Sequence, residues 1–188
     1  MEKEIVSSKE SQRVNTLPDD IYTEEAITIK ASAQELYNFW RDVTHFTLFT
    51  DQLESVVVTS ETKSHWVWKA LKGKKTIEWD CEIVQEVPFS LIAWKSTGAT
   101  EDLQHSGRVE FLELPYGRGT QVKVKLAYDL PGGKITELFE KLLGESPGRN
   151  LRLNLFKLRA LFEAREIPTV EGQSAGNNRE HETKTALH

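Results

Sequence analysis

The feature that most constrains this chain is the stretch from residue 53 to residue 130, where β-branched and aromatic residues recur with period two and turn residues interrupt them every ten to fifteen positions. A strand turns successive side chains to opposite faces, so this alternation predicts strands with one apolar and one wet face. Six segments follow: 53–61, 64–71, 75–87, 91–97, 105–114 and 120–130, punctuated by Thr62-Lys63, Lys72-Gly73, Pro88, the run from Gly98 to Gln104, and Pro115-Tyr116-Gly117-Arg118-Gly119. Consecutive strands joined by such short turns form an antiparallel meander, which must cover its apolar face with something else.

Few segments can serve as that cover. A first strand over 22–30, with Ala26, Ile27 and Ile29, precedes a change of period. Ser32 and Glu35 have the spacing of a capping box, and Leu36, Phe39 and Trp40 fall on one helical face, which predicts a helix over 33–42. A second short helical piece spans 44–49. The end of the chain reads as helix over 135–167 with a break at Gly144-Glu145-Ser146-Pro147-Gly148. After the break Leu151, Leu155, Leu158 and Phe162 make the main stripe, widened by Leu153, Phe156 and Leu161. The fold class is therefore α+β: a curved antiparallel sheet of six to seven strands gripping a long C-terminal helix, with two short helices after strand one. A sheet wrapped on one helix leaves a cavity at its mouth.

Composition agrees once it is resolved along the chain. Overall, 38% of residues are hydrophobic and the formal charge is −5, but residues 1–20 hold only five hydrophobics and residues 168–188 only four, leaving roughly 43% for the segment between. This predicts a domain over 21–167 between two disordered tails, 1–20 and 168–188. The tails carry three of the five net negative charges, so the domain is nearly neutral. That lowers the expectation of nucleic acid as a partner. One cysteine, Cys81, and no signal-peptide run make the cytoplasm the expected compartment. No apolar run is long enough to span a membrane, which leaves only peripheral membrane contact open.

Motifs that mimic catalytic signatures fail on physical grounds. The G-x-S-x-G at Gly144–Gly148 interrupts helix rather than following a strand, and Pro147 has no N–H to lend to an oxyanion hole. It reads as a helix break with Ser146 as cap and Pro147 in the first turn. Gly117-Arg118-Gly119 leads into a strand and is a hairpin turn, not a phosphate loop. The five histidines (His45, His65, His105, His181, His188) lack metal-ligand spacing, so neither a metal nor another cofactor is implied. His105, at the start of a strand, is the one to follow as a polar group at the cavity rim against a plain surface role. Glu78, Asp80 and Glu82 alternate with apolar residues and read as the wet face of a strand, with lysines such as Lys123 and Lys125 as cross-strand partners. The Lys72–Lys75 turn is a solvated one, and Cys81 a small buried hydrophobe. Five tryptophans are more than a core of this size needs: Trp40 reads as packing, whereas Trp66, Trp68, Trp79 and Trp94 sit on neighbouring strands and suit a cavity lined with flat apolar surface and a few N–H groups.

Five segments carry a family resemblance: Glu35-Leu36-Tyr37-Asn38-Phe39-Trp40, Phe46-Thr47-Leu48-Phe49, Ile77-Glu78-Trp79-Asp80-Cys81-Glu82-Ile83, Leu91-Ile92-Ala93-Trp94-Lys95-Ser96 and Gly107-Arg108-Val109-Glu110-Phe111. In order and spacing, over about 22–168, the chain resembles the polyketide cyclase/dehydrase and coenzyme-Q-binding group of START-like helix-grip domains (the SRPBCC superfamily). Thr47 and Thr50 stand where that family usually has Pro and Met. The resemblance implies a deep apolar cavity for lipids, quinones or polyketides, with no shared catalytic residues. Together with the tryptophan excess it puts Trp68, Trp79, Trp94, Phe111, Tyr128, Leu151, Leu155 and Leu158 on the lining, with His105 and Arg108 as a polar rim. A bulge in a long strand would change which side chains face inward. The leading expectation is binding of a hydrophobic small molecule. A cyclase/dehydrase or hydrolytic enzyme would need Tyr128, His105 and Arg108 turned inward, and a protein-interaction module would show a filled cavity.

Overall fold

The computed structural model describes residues 22–70, 74–97, 104–129 and 146–165. The elements in order are β1 (Tyr22–Ile29), α1 (Ala33–Arg41), a 3-10 helix (Val43–Leu48), β2 (Leu53–Val58), β3 (Lys63–Ala70), β4 (Lys75–Val87), β5 (Leu91–Thr97), β6 (Gln104–Glu113), a 3-10 turn (Pro115–Gly117), β7 (Thr120–Asp129) and α2 (Pro147–Arg165). The seven strands form one antiparallel sheet in the order β1-β7-β6-β5-β4-β3-β2. β2 to β7 are a plain meander, and β1 returns to close the far edge against β7. The α+β helix-grip expectation holds, with boundaries shifted by one to three residues. Both predicted tails, the 135–144 helical piece with Glu145, the Lys72-Gly73 turn, the 98–103 loop, and His181 and His188 lie outside the described residues, whereas the rest of the Gly144–Gly148 motif is described and Pro147 stands in the first turn of α2, as expected.

Local chemistry sets the entry to α1. The Glu35 backbone N–H donates to Ser32 Oγ (3.2 Å), and the Ser32 N–H donates to the Glu35 carboxylate (2.9 Å), the reciprocal pair of a capping box. The Ser32 hydroxyl also donates to the Glu35 carboxylate (2.7 Å), and this bond, with that from the Ser32 N–H, favours the ionised form and holds Glu35 below its usual pKa. Beyond α1, Thr47 donates from Oγ1 to the Thr44 carbonyl (3.0 Å), and buried Thr50 donates its backbone N–H to the Phe46 carbonyl (3.0 Å). The corner thus closes on threonine and backbone hydrogen bonds.

A bulge in β4 between Ile83 and Gln85 sets the inward register. Up to that point Ile77, Trp79, Cys81 and Ile83 face inward. The bulge places Val84 in solvent and brings Glu86, rather than Gln85, opposite buried Ile92. Glu86 accepts a hydrogen bond from the Tyr37 hydroxyl and pairs with Arg41 (2.8 Å), whose Nη2 donates to the Glu61 carbonyl (2.9 Å). This ties α1 to β4 and to the β2–β3 turn.

The outer face of β4 has partners other than those expected. Asp80 and Glu78 lie 2.8 and 3.6 Å from His65 nitrogens, and Glu82 pairs with Lys95 (3.7 Å). Lys123 instead meets Glu24 (2.9 Å), and Lys125 sits over the Tyr22 ring. The reason is strand order: β7 is three strands from β4, and only neighbours pair.

The core packs α1 and α2 on the inner face, with Ile29, Leu36, Val109, Val122, Val124, Leu155 and Leu158 almost fully buried. Leu153 and Phe156, read as widening the α2 stripe, are 40% and 45% exposed. A helix against one sheet buries a single stripe, and these two fall beyond its edge. Arg152 to Glu25 (2.8 Å) and Lys157 to Asp51 anchor α2 at both sides.

Candidate functional site

Between the inner face of the sheet and α2 lies a cavity of about 220 Å³ whose wall is largely apolar and includes all five tryptophans. Four come from the sheet. Trp66 and Trp68 alternate along β3, Trp79 lies directly opposite Trp66 on β4, and Trp94 follows on β5. The Trp66 and Trp79 rings are stacked (6.2 Å, 14°), and Trp68 tilts against Trp79 at 6.0 Å. Trp40, from α1, packs on Trp94 (6.5 Å) and on Phe46 (5.0 Å) and also reaches the cavity, so it does more than fill core.

Polar groups enter at particular places. Tyr128 and His105 are opposite each other on β7 and β6, with ring centroids 6.4 Å apart, and His105 stands edge-on to Trp79 at 5.5 Å. His105 Nε2 is 4.0 Å from Cys81 Sγ, and its backbone N–H donates to Ser96 Oγ (2.8 Å). Burial pushes the Cys81 thiol up to about 12, opposed by the neighbouring Trp79 indole, which falls short of hydrogen-bond geometry. Burial likewise raises the Tyr128 hydroxyl above the usual phenol range. Both groups are therefore neutral at ordinary pH. Asn150 and Asn154, linked by a 3.1 Å hydrogen bond, interrupt the apolar wall from α2. Arg41, Glu61 and Lys63 add charge to the lining. Among the described residues no group of three or more His, Cys, Asp and Glu side chains is arranged to hold a metal ion.

Of the residues named from sequence, Trp68, Trp79, Trp94, Tyr128, Leu151, Leu155 and His105 line this cavity. Phe111 and Leu158 do not. Phe111 is packed edge-on by Tyr37 (6.0 Å) and Trp40 (6.2 Å), and Leu158 is 1% exposed in the same cluster. Phe111 thus sits where α1 covers the sheet with side chains. Arg108 lies between inward-facing Gly107 and Val109, so it projects from the outer face, where it pairs with Glu110 (3.0 Å). Sequence reasoning missed the Asn150–Asn154 pair, although two amides four apart inside a leucine stripe are a readable signal. It also missed the Tyr37–Glu86–Arg41 group, which only the β4 bulge creates.

Comparisons with known proteins agree with this architecture. The chain is 28% identical over 121 residues to an uncharacterized 17.2 kDa protein of Streptomyces lincolnensis, covering 64% of this chain and 76% of that one. A crystal structure of a Deinococcus radiodurans protein superposes with a TM-score of 0.60 at 31% identity, covering 77% of this chain and 99% of that chain. A START superfamily protein from Mycobacterium smegmatis (TM-score 0.62, 12% identity, 77% and 98% coverage) and the di-domain ARO/CYC StfQ from the steffimycin biosynthetic pathway (0.60, 13%, 86% and 61%) share the fold. The family model described as polyketide cyclase/dehydrase and lipid transport matches residues 29–156, from the end of β1 into α2 and through every strand that walls the cavity, and the chain belongs to that family.

Proposed function

We propose that this protein binds a hydrophobic small molecule, of lipid, quinone or polyketide-like character, in the cavity between the sheet and α2. The carrying observation is that all five tryptophans converge on one apolar space of about 220 Å³. Filling it with side chains would add packing energy, so an open space walled with large flat residues suits a guest. Native mass spectrometry of freshly purified protein, with titration of 1-anilinonaphthalene-8-sulfonate, tests this reading. The expected results are a carried-through small molecule or a saturable single site. Absence of both would refute it.

A second reading, an enzyme acting on such a guest, is favoured by His105 and Tyr128 lying together in the wall. A histidine there can move a proton to or from a carbonyl-bearing guest, an effect worth about 10²–10⁴-fold in rate. On a guest identified by mass spectrometry, His105→Ala would then lower turnover by that order while leaving affinity nearly unchanged. Equal turnover by both proteins would exclude this role.

A further inference from the structure

Two amides interrupt the leucine face of α2. Pro147, Asn150, Leu151, Asn154 and Leu155 line the cavity at the spacing of one helical face, so both asparagines lie on the side of α2 that walls it. Asn154 Nδ2 donates to Asn150 Oδ1 at 3.1 Å, and among the described residues neither side chain makes another hydrogen bond. An amide has one carbonyl and two N–H groups, so this bond leaves the NH2 of Asn150 and the carbonyl of Asn154 uncommitted. Asn150 is 9% exposed and Asn154 half-buried. Their uncommitted atoms still keep accessible surface, unlike the Trp68 and Trp79 Nε1 atoms, which are sealed within the wall without a partner. Nothing in the helix itself asks for amides here. Asparagine is a poor helix former, and leucine at either position would continue the apolar stripe without a polar group to satisfy.

We infer that Asn150 and Asn154 are specificity-determining residues of the cavity, a neighbouring donor and acceptor that together read a neutral hydroxyl group on the guest. This rests on the ligand-binding reading above and adds to it the group that the α2 wall selects. A hydroxyl accepts from the Asn150 NH2 while donating to the Asn154 carbonyl. An ether oxygen satisfies only the first, and a hydrocarbon neither.

The test uses one skeleton with and without the donor. Affinities for 2-naphthol and 2-methoxynaphthalene are measured by equilibrium dialysis on the full-length protein, as wild type and as Asn150→Leu/Asn154→Leu. Comparing the alcohol-to-ether ratio between the two proteins cancels what the naphthalene ring contributes. That ratio is expected to be about five- to tenfold higher in the wild type, the scale of one further hydrogen bond, while both proteins bind the ether. The double variant is also expected to melt no lower than the wild type by circular dichroism, because both amides give way to apolar side chains of similar shape. An equal ratio in the two proteins would overturn the inference while leaving ligand binding intact, and a lower melting temperature with it would make the pair a structural one. Should the double variant fail to fold or to bind the ether, Asn154→Leu decides, since it removes the open carbonyl alone. There the ratio is expected to fall by the same factor, and an unchanged ratio would overturn the inference. A wild type that binds neither compound would also overturn it, and the reading beneath it falls only if the native mass spectrum and the dye titration are empty as well.

Discussion

Gly107 shows how one residue shapes the cavity wall. It pairs across the sheet with Trp94, and a Cβ added to it would sit 2.5 Å from Trp94 Cζ2 and 2.7 Å from Leu126 Cδ2. The glycine is required for space rather than for an unusual backbone angle, because the indole lies on the bare backbone of β6. Gly107→Ala is therefore expected to overpack this point, costing about 1–3 kcal/mol and pushing the Trp94 ring toward the cavity. Urea unfolding monitored by tryptophan emission checks it. A variant with unchanged midpoint and unchanged emission would mean that Trp94 turns aside freely. Nothing in the sequence marked Gly107 as special, since its role depends on a partner thirteen positions away that only strand pairing brings opposite.

At the scale of elements, α1 is both a cover for the sheet and the plug that separates core from cavity. Its inner face carries Leu36, Tyr37, Phe39 and Trp40, all buried, and its start is held by the Ser32–Glu35 box. Ser32→Ala removes the side-chain oxygen that satisfies the Glu35 N–H and is expected to lower stability by about 1 kcal/mol. Thermal unfolding followed by circular dichroism would show this as a drop of a few degrees. An unchanged transition would place the anchoring of α1 in its packing and in the Arg41–Glu86 link alone. These elements were legible beforehand because capping spacing, helical period and strand alternation are local patterns. The exposed Leu153 and Phe156 were not, because which apolar residues of a helix are covered depends on the width of the surface it meets.

For the molecule as a whole, the groups held neutral by burial predict an alkaline limit. The folded state raises Cys81 from 9.0 to about 12 and Tyr37 from 10.0 to about 12. Burial is the main cause for both, with the Glu86 carboxylate adding to the effect at Tyr37. The unfolded chain ionises these groups first, so it binds fewer protons than the fold above pH 9. Stability from this source is complete below pH 9 and is lost as pH rises, through Cys81 between 9 and 12 and through Tyr37 between 10 and 12. Urea midpoints should be level from pH 7 to 8.5 and fall beyond 9, with a shallower fall in Cys81→Ala. An equal fall in that variant would remove the thiol from the explanation. By itself the sequence determined the strands, the helices, their antiparallel order and the placing of four tryptophans on neighbouring strands, because period, turn residues and short connections are properties of neighbouring positions. Tertiary structure alone decided that Phe111 and Leu158 are core rather than lining, that Arg108 faces outward with Glu110, that a bulge turns Glu86 toward Tyr37 and Arg41, and that two indole N–H groups remain without partners. Each of these depends on what stands opposite a side chain across strands and layers, which one-dimensional spacing does not contain.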